Sequence, residues 1–147
     1  MIIVLSMLSV SGLAACGGDG GGTLEEEPGA TGERPATTPL VVLLRYGGIA
    51  GTSDRVSVDA LGVATVVSER SSGPSTRTLS SGDLAALRRA LERSEIATLQ
   101  RNYLDRNAAD AFQYDVTYQG VTVTTDEGVM PPSLRPVVDM LTKLIPS

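Results

Sequence analysis

The side chains able to do chemistry are few in this chain of 147 residues, which holds no histidine and a single cysteine, Cys16. Without imidazole, the commonest general base, the Ser-His and Cys-His nucleophile pairs and histidine metal sites are all excluded. Among the carboxylates, Asp115, Asp126 and Glu127 come closest together on strand-like sequence. Adjacent acids on a strand point to opposite faces, so Asp126 and Glu127 cannot pair as acid and base without a bulge, and they read as turn residues. The run Gly47-Gly48-Ile49-Ala50-Gly51 lacks the Lys and Ser/Thr of a phosphate-binding loop and falls between two strands, not ahead of a helix. No catalytic residue, metal site or cofactor is expected. The one thiol follows Leu13-Ala14-Ala15 at the end of an apolar run that begins at Ile2.

Leu13-Ala14-Ala15-Cys16 is similar to the lipobox of a bacterial lipoprotein signal. The resemblance implies a diacylglyceryl group on the Cys16 thiol, cleavage before Cys16 and attachment to a membrane outside the cytoplasm, on the cell surface or the periplasmic side. At about 14 residues the apolar run is shorter than the roughly 20 that span a bilayer, and it suits the hydrophobic part of a signal peptide. A lipidated Cys16 leaves no thiol for a disulfide framework, so stability has to come from a packed core. Residues 17–38 carry Asp19, Glu25, Glu26, Glu27 and Glu33 against Arg34, a net charge of −4 out of −5 for the whole chain, which leaves the rest at −1. That stretch, rich in Gly, Pro, Thr and Ala, has too little to bury to offset its ordering entropy. The expected organisation is therefore a signal peptide over residues 1–15, a lipidated Cys16 with a flexible linker over 16–38, and one domain over 39–147. A near-neutral domain with few aromatics has neither the basic field nor the stacking platform that nucleic acid requires.

The pattern changes at Pro39. Residues 40–46 are dense in Val and Leu and predict a buried strand ending at Gly47-Gly48. Val56 and Val58 alternate with Arg55, Ser57 and Asp59, and Ala60-Leu61-Gly62 turns that strand into the β-branched run 63–68. A turn over 71–75 leads to a short fourth strand at 76–79. Ser80, Ser81 and Asp83 signal a helix start, and Leu84, Leu87 and Leu91 form its apolar face, with Arg88, Arg89, Glu92 and Arg93 on a solvated one. After an irregular stretch, Phe112, Tyr114, Val116 and Tyr118 are answered across Gln119-Gly120 by Val121, Val123 and Thr125, a second hairpin. The last helix carries Leu134, Val137, Val138, Leu141, Leu144 and Ile145 on one stripe; with Ser133 as N-cap, Pro136 falls at a position where no intrahelical donor is lost. The predicted class is α+β, an antiparallel sheet of about five to six strands with two amphipathic helices on one face.

Several of these segments resemble the emfourin family, small protein inhibitors of thermolysin-like metalloproteases such as protealysin. The matching residues are Arg45-Tyr46-Gly47-Gly48-Ile49-Ala50-Gly51, the helix over 84–91, Phe112-Gln113-Tyr114-Asp115-Val116, and Pro131-Pro132-Ser133-Leu134-Arg135. The resemblance implies a domain that binds, and inhibits, a secreted metalloprotease; joined to the lipobox and to the lack of His and free thiol, it gives the expectation of a membrane-anchored protein that is not an enzyme. On that implication, the small loop of Gly47, Gly48, Ile49, Ala50 and Gly51 can enter a protease cleft and offer Ile49 to an apolar pocket, and the turn between Arg70 and Arg77 is a second candidate contact. An alternative remains open in which the glycines only permit positive φ and Ile49 turns inward. A second leaves the domain a non-inhibitory binding or assembly module for another envelope protein, using its open sheet edge or its Arg-rich helix face.

Overall fold

The first strand, β1 (Val41–Gly47), lies mid-sheet because its Val and Leu run can be buried, and it pairs along its whole length with β2 (Thr52–Val58) and β6 (Phe112–Tyr118). The computed structural model describes residues 38–108 and 110–146, so the lipobox Leu13-Ala14-Ala15-Cys16 and the linker as far as residue 37 lie outside the described residues. Among the described residues no helix is long and apolar enough to cross a membrane. The other strands are β3 (Val63–Ser68), β4 (Ser75–Thr78), β5 (Asn102–Tyr103) and β7 (Val121–Asp126), giving the sheet order β4-β3-β2-β1-β6-β7-β5.

Period-two patterning sets which face is covered. Leu43 stands opposite Val56 on one side and Val116 on the other, and all three are fully buried. Val41, Val58, Ala64, Val66 and Val123 share that core with Leu87, Ala90 and Leu91 of α1 (Ser81–Ser94) and Val137, Val138 and Leu141 of α2 (Arg135–Thr142). Each such Val or Leu contributes on the order of 2 kcal/mol by leaving water. The turns follow local chemistry. Asp59 Oδ1 accepts from the N–H groups of Leu61 and Val63 at 2.9 and 2.8 Å. Gln119 and Gly120 both take positive φ, +51° and +77°, the mirror-type turn whose twist suits a two-residue hairpin.

Helix α1 begins as its sequence predicts: the Ser80 hydroxyl accepts from Asp83 N–H at 3.1 Å and donates to the Asp83 carboxylate at 2.6 Å. For α2 the expected cap is wrong. Leu134 is the N-cap, without a side-chain cap bond, and Pro136 falls in the first turn. The Ser133 hydroxyl donates instead to the Ser94 carbonyl at 3.1 Å, tying the start of α2 to the end of α1.

The predicted antiparallel sheet of five to six strands is also corrected, because the sheet has seven strands and is mixed. Strand β5 runs parallel to β7, with Asn102 beside Thr124 and Tyr103 beside Thr125. Two residues carry no periodicity, so no sequence pattern announces this strand. Tertiary contacts hold it in place: Thr124 N–H donates to the Arg101 carbonyl at 2.8 Å, and Asp105 N–H donates to the Asp126 carboxylate where the chain crosses the end of β7.

Candidate functional site

The Gly47–Gly51 segment is a tight turn joining β1 to β2. Gly47, Gly48 and Gly51 adopt φ of +96°, +69° and +59°, which side-chain-bearing residues rarely take. Gly51 N–H donates to the Gly48 carbonyl at 3.0 Å. The turn rests on the Phe112 ring so closely that a Cβ on Gly48 would lie 2.8 Å from it. This geometry lifts Ile49 clear of the molecule at 93% exposure, so Ile49 does not turn into the core.

Directly beneath the turn the sheet carries charge on its core-side face. Asp54, 1% exposed, sits opposite Arg45 in the β1–β2 register, and Arg45 Nε and Nη2 both donate to Asp54 Oδ2, at 3.0 and 2.7 Å. The Arg45 guanidinium lies 5.0 Å above the centre of the Phe112 ring. Asp54 Oδ1 has no hydrogen-bond partner among the described residues; Arg70 Nη2 is 3.9 Å from it. Burial pushes the Asp54 carboxyl up. The neighbouring Ser68 hydroxyl, the Arg45 fork and the Arg70 charge together outweigh burial and hold it below the ordinary range.

The turn between Arg70 and Arg77, the second candidate contact, sends both arginines to the residues that follow α2. Arg70 Nη2 donates to the Pro146 carbonyl and Arg77 Nη2 to the Lys143 carbonyl, each at 3.2 Å. Guanidinium groups suit the unsatisfied carbonyls of a helix C-terminus. An open cavity of about 540 Å³ results, with Arg45, Arg70, Lys143, Phe112, Ile145 and Pro146 in its lining together with Ala50 and Thr52 of the turn and its flank. Arg88, on the Arg-rich face of α1, spends one donor on the Ala60 carbonyl at 2.6 Å.

The carboxylates singled out in the sequence are brought to separate places. Asp126 is 2% exposed and accepts from the N–H groups of Asp105, Gly128 and Val129. Burial raises its carboxyl, but the three backbone donors prevail and hold it below the ordinary range. Glu127 accepts from the Tyr114 hydroxyl at 3.0 Å; burial first and this carboxylate second push the Tyr114 phenol up to about 12. Asp115 accepts from Thr124 Oγ1 at 2.7 Å and, more weakly, from the Tyr46 hydroxyl at 3.4 Å. The Tyr46 phenol is raised by burial and by that same carboxylate. Each acid is an acceptor in the fold's own bonding, and no two are set as an acid–base pair.

Sequence reasoning missed the Arg45–Asp54 pair beneath the turn. The signal was present: Asp54 is in phase with the inward-facing Val56 and Val58, where a lone carboxylate is tolerated only beside a cation. The model of the emfourin family matches residues 62–142, which takes in β3 to α2 and leaves β1, β2 and the Gly47–Gly51 turn ahead of the matched span. No curated protein matches this sequence.

Proposed function

The chain belongs to the emfourin family, a family of inhibitor domains, and from that premise we propose that it binds and inhibits a thermolysin-like metalloprotease through Gly47, Gly48, Ile49, Ala50 and Gly51. Ile49 is the anchoring side chain, presented to the apolar pocket of the enzyme's cleft. The observation that carries this assignment is an isoleucine 93% exposed on a turn stiffened by three positive-φ glycines and backed by Phe112. An exposed aliphatic side chain on a preorganised loop loses little entropy on binding and gains the full benefit of burial. The protein works, on this reading, from a membrane surface outside the cytoplasm, cleaved after Leu13-Ala14-Ala15 and held by lipid on Cys16.

Titration of a thermolysin-like protease with the protein tests the assignment. Stoichiometric loss of proteolysis is expected, and Ile49→Asp is expected to weaken inhibition by about 30-fold, the equivalent of about 2 kcal/mol of apolar burial. Undiminished inhibition by the variant removes the turn from the mechanism.

One observation favours a second reading, a binding module without inhibition. Strand β4 is an edge strand whose four residues are all exposed, which leaves a backbone edge on which an extended segment of an envelope protein can pair. Protease that stays fully active while retained by the immobilised protein selects this reading.

A further inference from the structure

We propose that the cavity under the Gly47–Gly51 turn is a binding site for an organic carboxylate, gripped by Arg70 and Lys143 with its apolar body against Phe112, Ile145 and Pro146. The proposal concerns a site beside the turn and holds whether or not the turn engages a protease.

The charge balance carries it. Three cations, Arg45, Arg70 and Lys143, line the cavity, and the carboxylate that the described residues set beside them, Asp54, lies behind the lining and is already committed through Oδ2 to Arg45 Nε and Nη2. Arg70 makes only a long ion pair with the remaining oxygen, at 3.9 Å, and donates to the Pro146 carbonyl, and among the described residues Lys143 forms no ion pair. The Asp54 side chain is fully buried while that of Arg70 is 46% exposed. The inner ion pair is therefore the more buried one, and the positive charge in excess of Asp54, on Arg70 and Lys143, is the part that faces solvent. A net positive cavity in a chain of net charge −5 is a local inversion of field, and such clefts concentrate anions.

The rest of the lining narrows the anion. At about 540 Å³ the cavity is of ligand size. Phe112, Ile145 and Pro146 supply an apolar wall, which a bare inorganic ion leaves unused. A guanidinium fork matches the two oxygens of a carboxylate, and an ammonium adds a point charge. The cavity also adjoins the C-terminal end of α2, whose carbonyls carry partial negative charge, so a singly charged carboxylate is accommodated better than a phosphate dianion. The group arrives either on a free small molecule or as an Asp or Glu side chain of a docked protein.

Titration of the whole protein with benzoate, followed by amide chemical shifts, tests the site without any protease. Saturable shifts centred on Ala50, Arg70, Phe112 and Ile145 are expected, weakening with added salt. Affinity is expected to fall at least about fivefold in Lys143→Gln and further in Arg70→Gln with Lys143→Gln. Lys143 is exposed and keeps its backbone contact to Arg77, so the single variant folds as the parent does. Non-saturating shifts, shifts centred elsewhere, or equal affinity in Lys143→Gln overturn the proposal. If saturating benzoate weakens binding of the protease, the natural carboxylate is a partner's side chain; if binding is unaffected, it belongs to a free ligand.

Discussion

Two nearly buried aspartates hold different parts of this sheet in different ways. Asp126 closes the end of β7 with three backbone N–H donors, from Asp105, Gly128 and Val129. Asp54, under the Gly47–Gly51 turn, is held by side chains: Arg45 takes one oxygen, and the other stands without a hydrogen bond 3.9 Å from Arg70. Backbone donors cannot leave, and they stabilise the carboxylate without bringing any net charge of their own. Guanidinium groups on flexible stems can be shared with a ligand, and here they exceed the carboxylate they surround. The first arrangement is an anchor for the chain's path; the second leaves binding capacity over.

The largest test of this contrast is Asp126→Ala, which orphans three backbone donors and frees the β5–β6 crossing. A loss of about 3 kcal/mol in urea unfolding, read as a lower midpoint with an unchanged slope, is expected. Asp54→Ala is expected to cost less, about 2 kcal/mol, because Arg45 keeps its place over Phe112 and can turn partly to water; a cost above that of Asp126→Ala breaks the contrast. Gly48→Ala, which combines φ of +69° with a Cβ 2.8 Å from the Phe112 ring, is expected to cost about 1 to 2 kcal/mol and to weaken inhibition by displacing Ile49. On stability, Ile49→Asp is the mildest change, within about 0.5 kcal/mol, since its side chain touches little.

pH sharpens the same comparison. Both aspartates have folded values held below the ordinary 3.8. Their contribution is therefore complete above about pH 4 and is lost as pH falls through the depressed values, since the unfolded chain then binds protons the folded one resists. Tyr114 has the opposite sign. Its phenol is raised from 10.0 to about 12, so its share of stability is complete below pH 10 and lost between about 10 and 12. Thermal melts across pH 2–12 should show a plateau bounded by these two windows, and Tyr114→Phe should soften the alkaline edge alone.

Much of the fold was legible because local chemistry writes it. The two hairpins follow from alternation and from Gly62 and Gly120, and α1 follows from Ser80, Asp83 and its leucine stripe. Strand β5 was illegible because two residues have no period. The cap of α2 was misread because Ser133 fits the local rule yet spends its hydroxyl on Ser94, 39 residues away. At the site, the turn glycines and Ile49 could be singled out from sequence, but not what lies below them.

By itself, then, the sequence determined the two hairpins and the two helices of the domain, the absence of imidazole chemistry and a glycine turn with an aliphatic tip. Those depend on residue type and on neighbours a few positions apart. Only the tertiary structure decided that the turn stands over a cation-lined cavity, because Arg45, Phe112 and Lys143 come from three separate elements and Arg70 reaches a carbonyl 76 residues along the chain. Such contacts are chosen by the packing of the whole sheet against α2, where a short-range pattern has no reach.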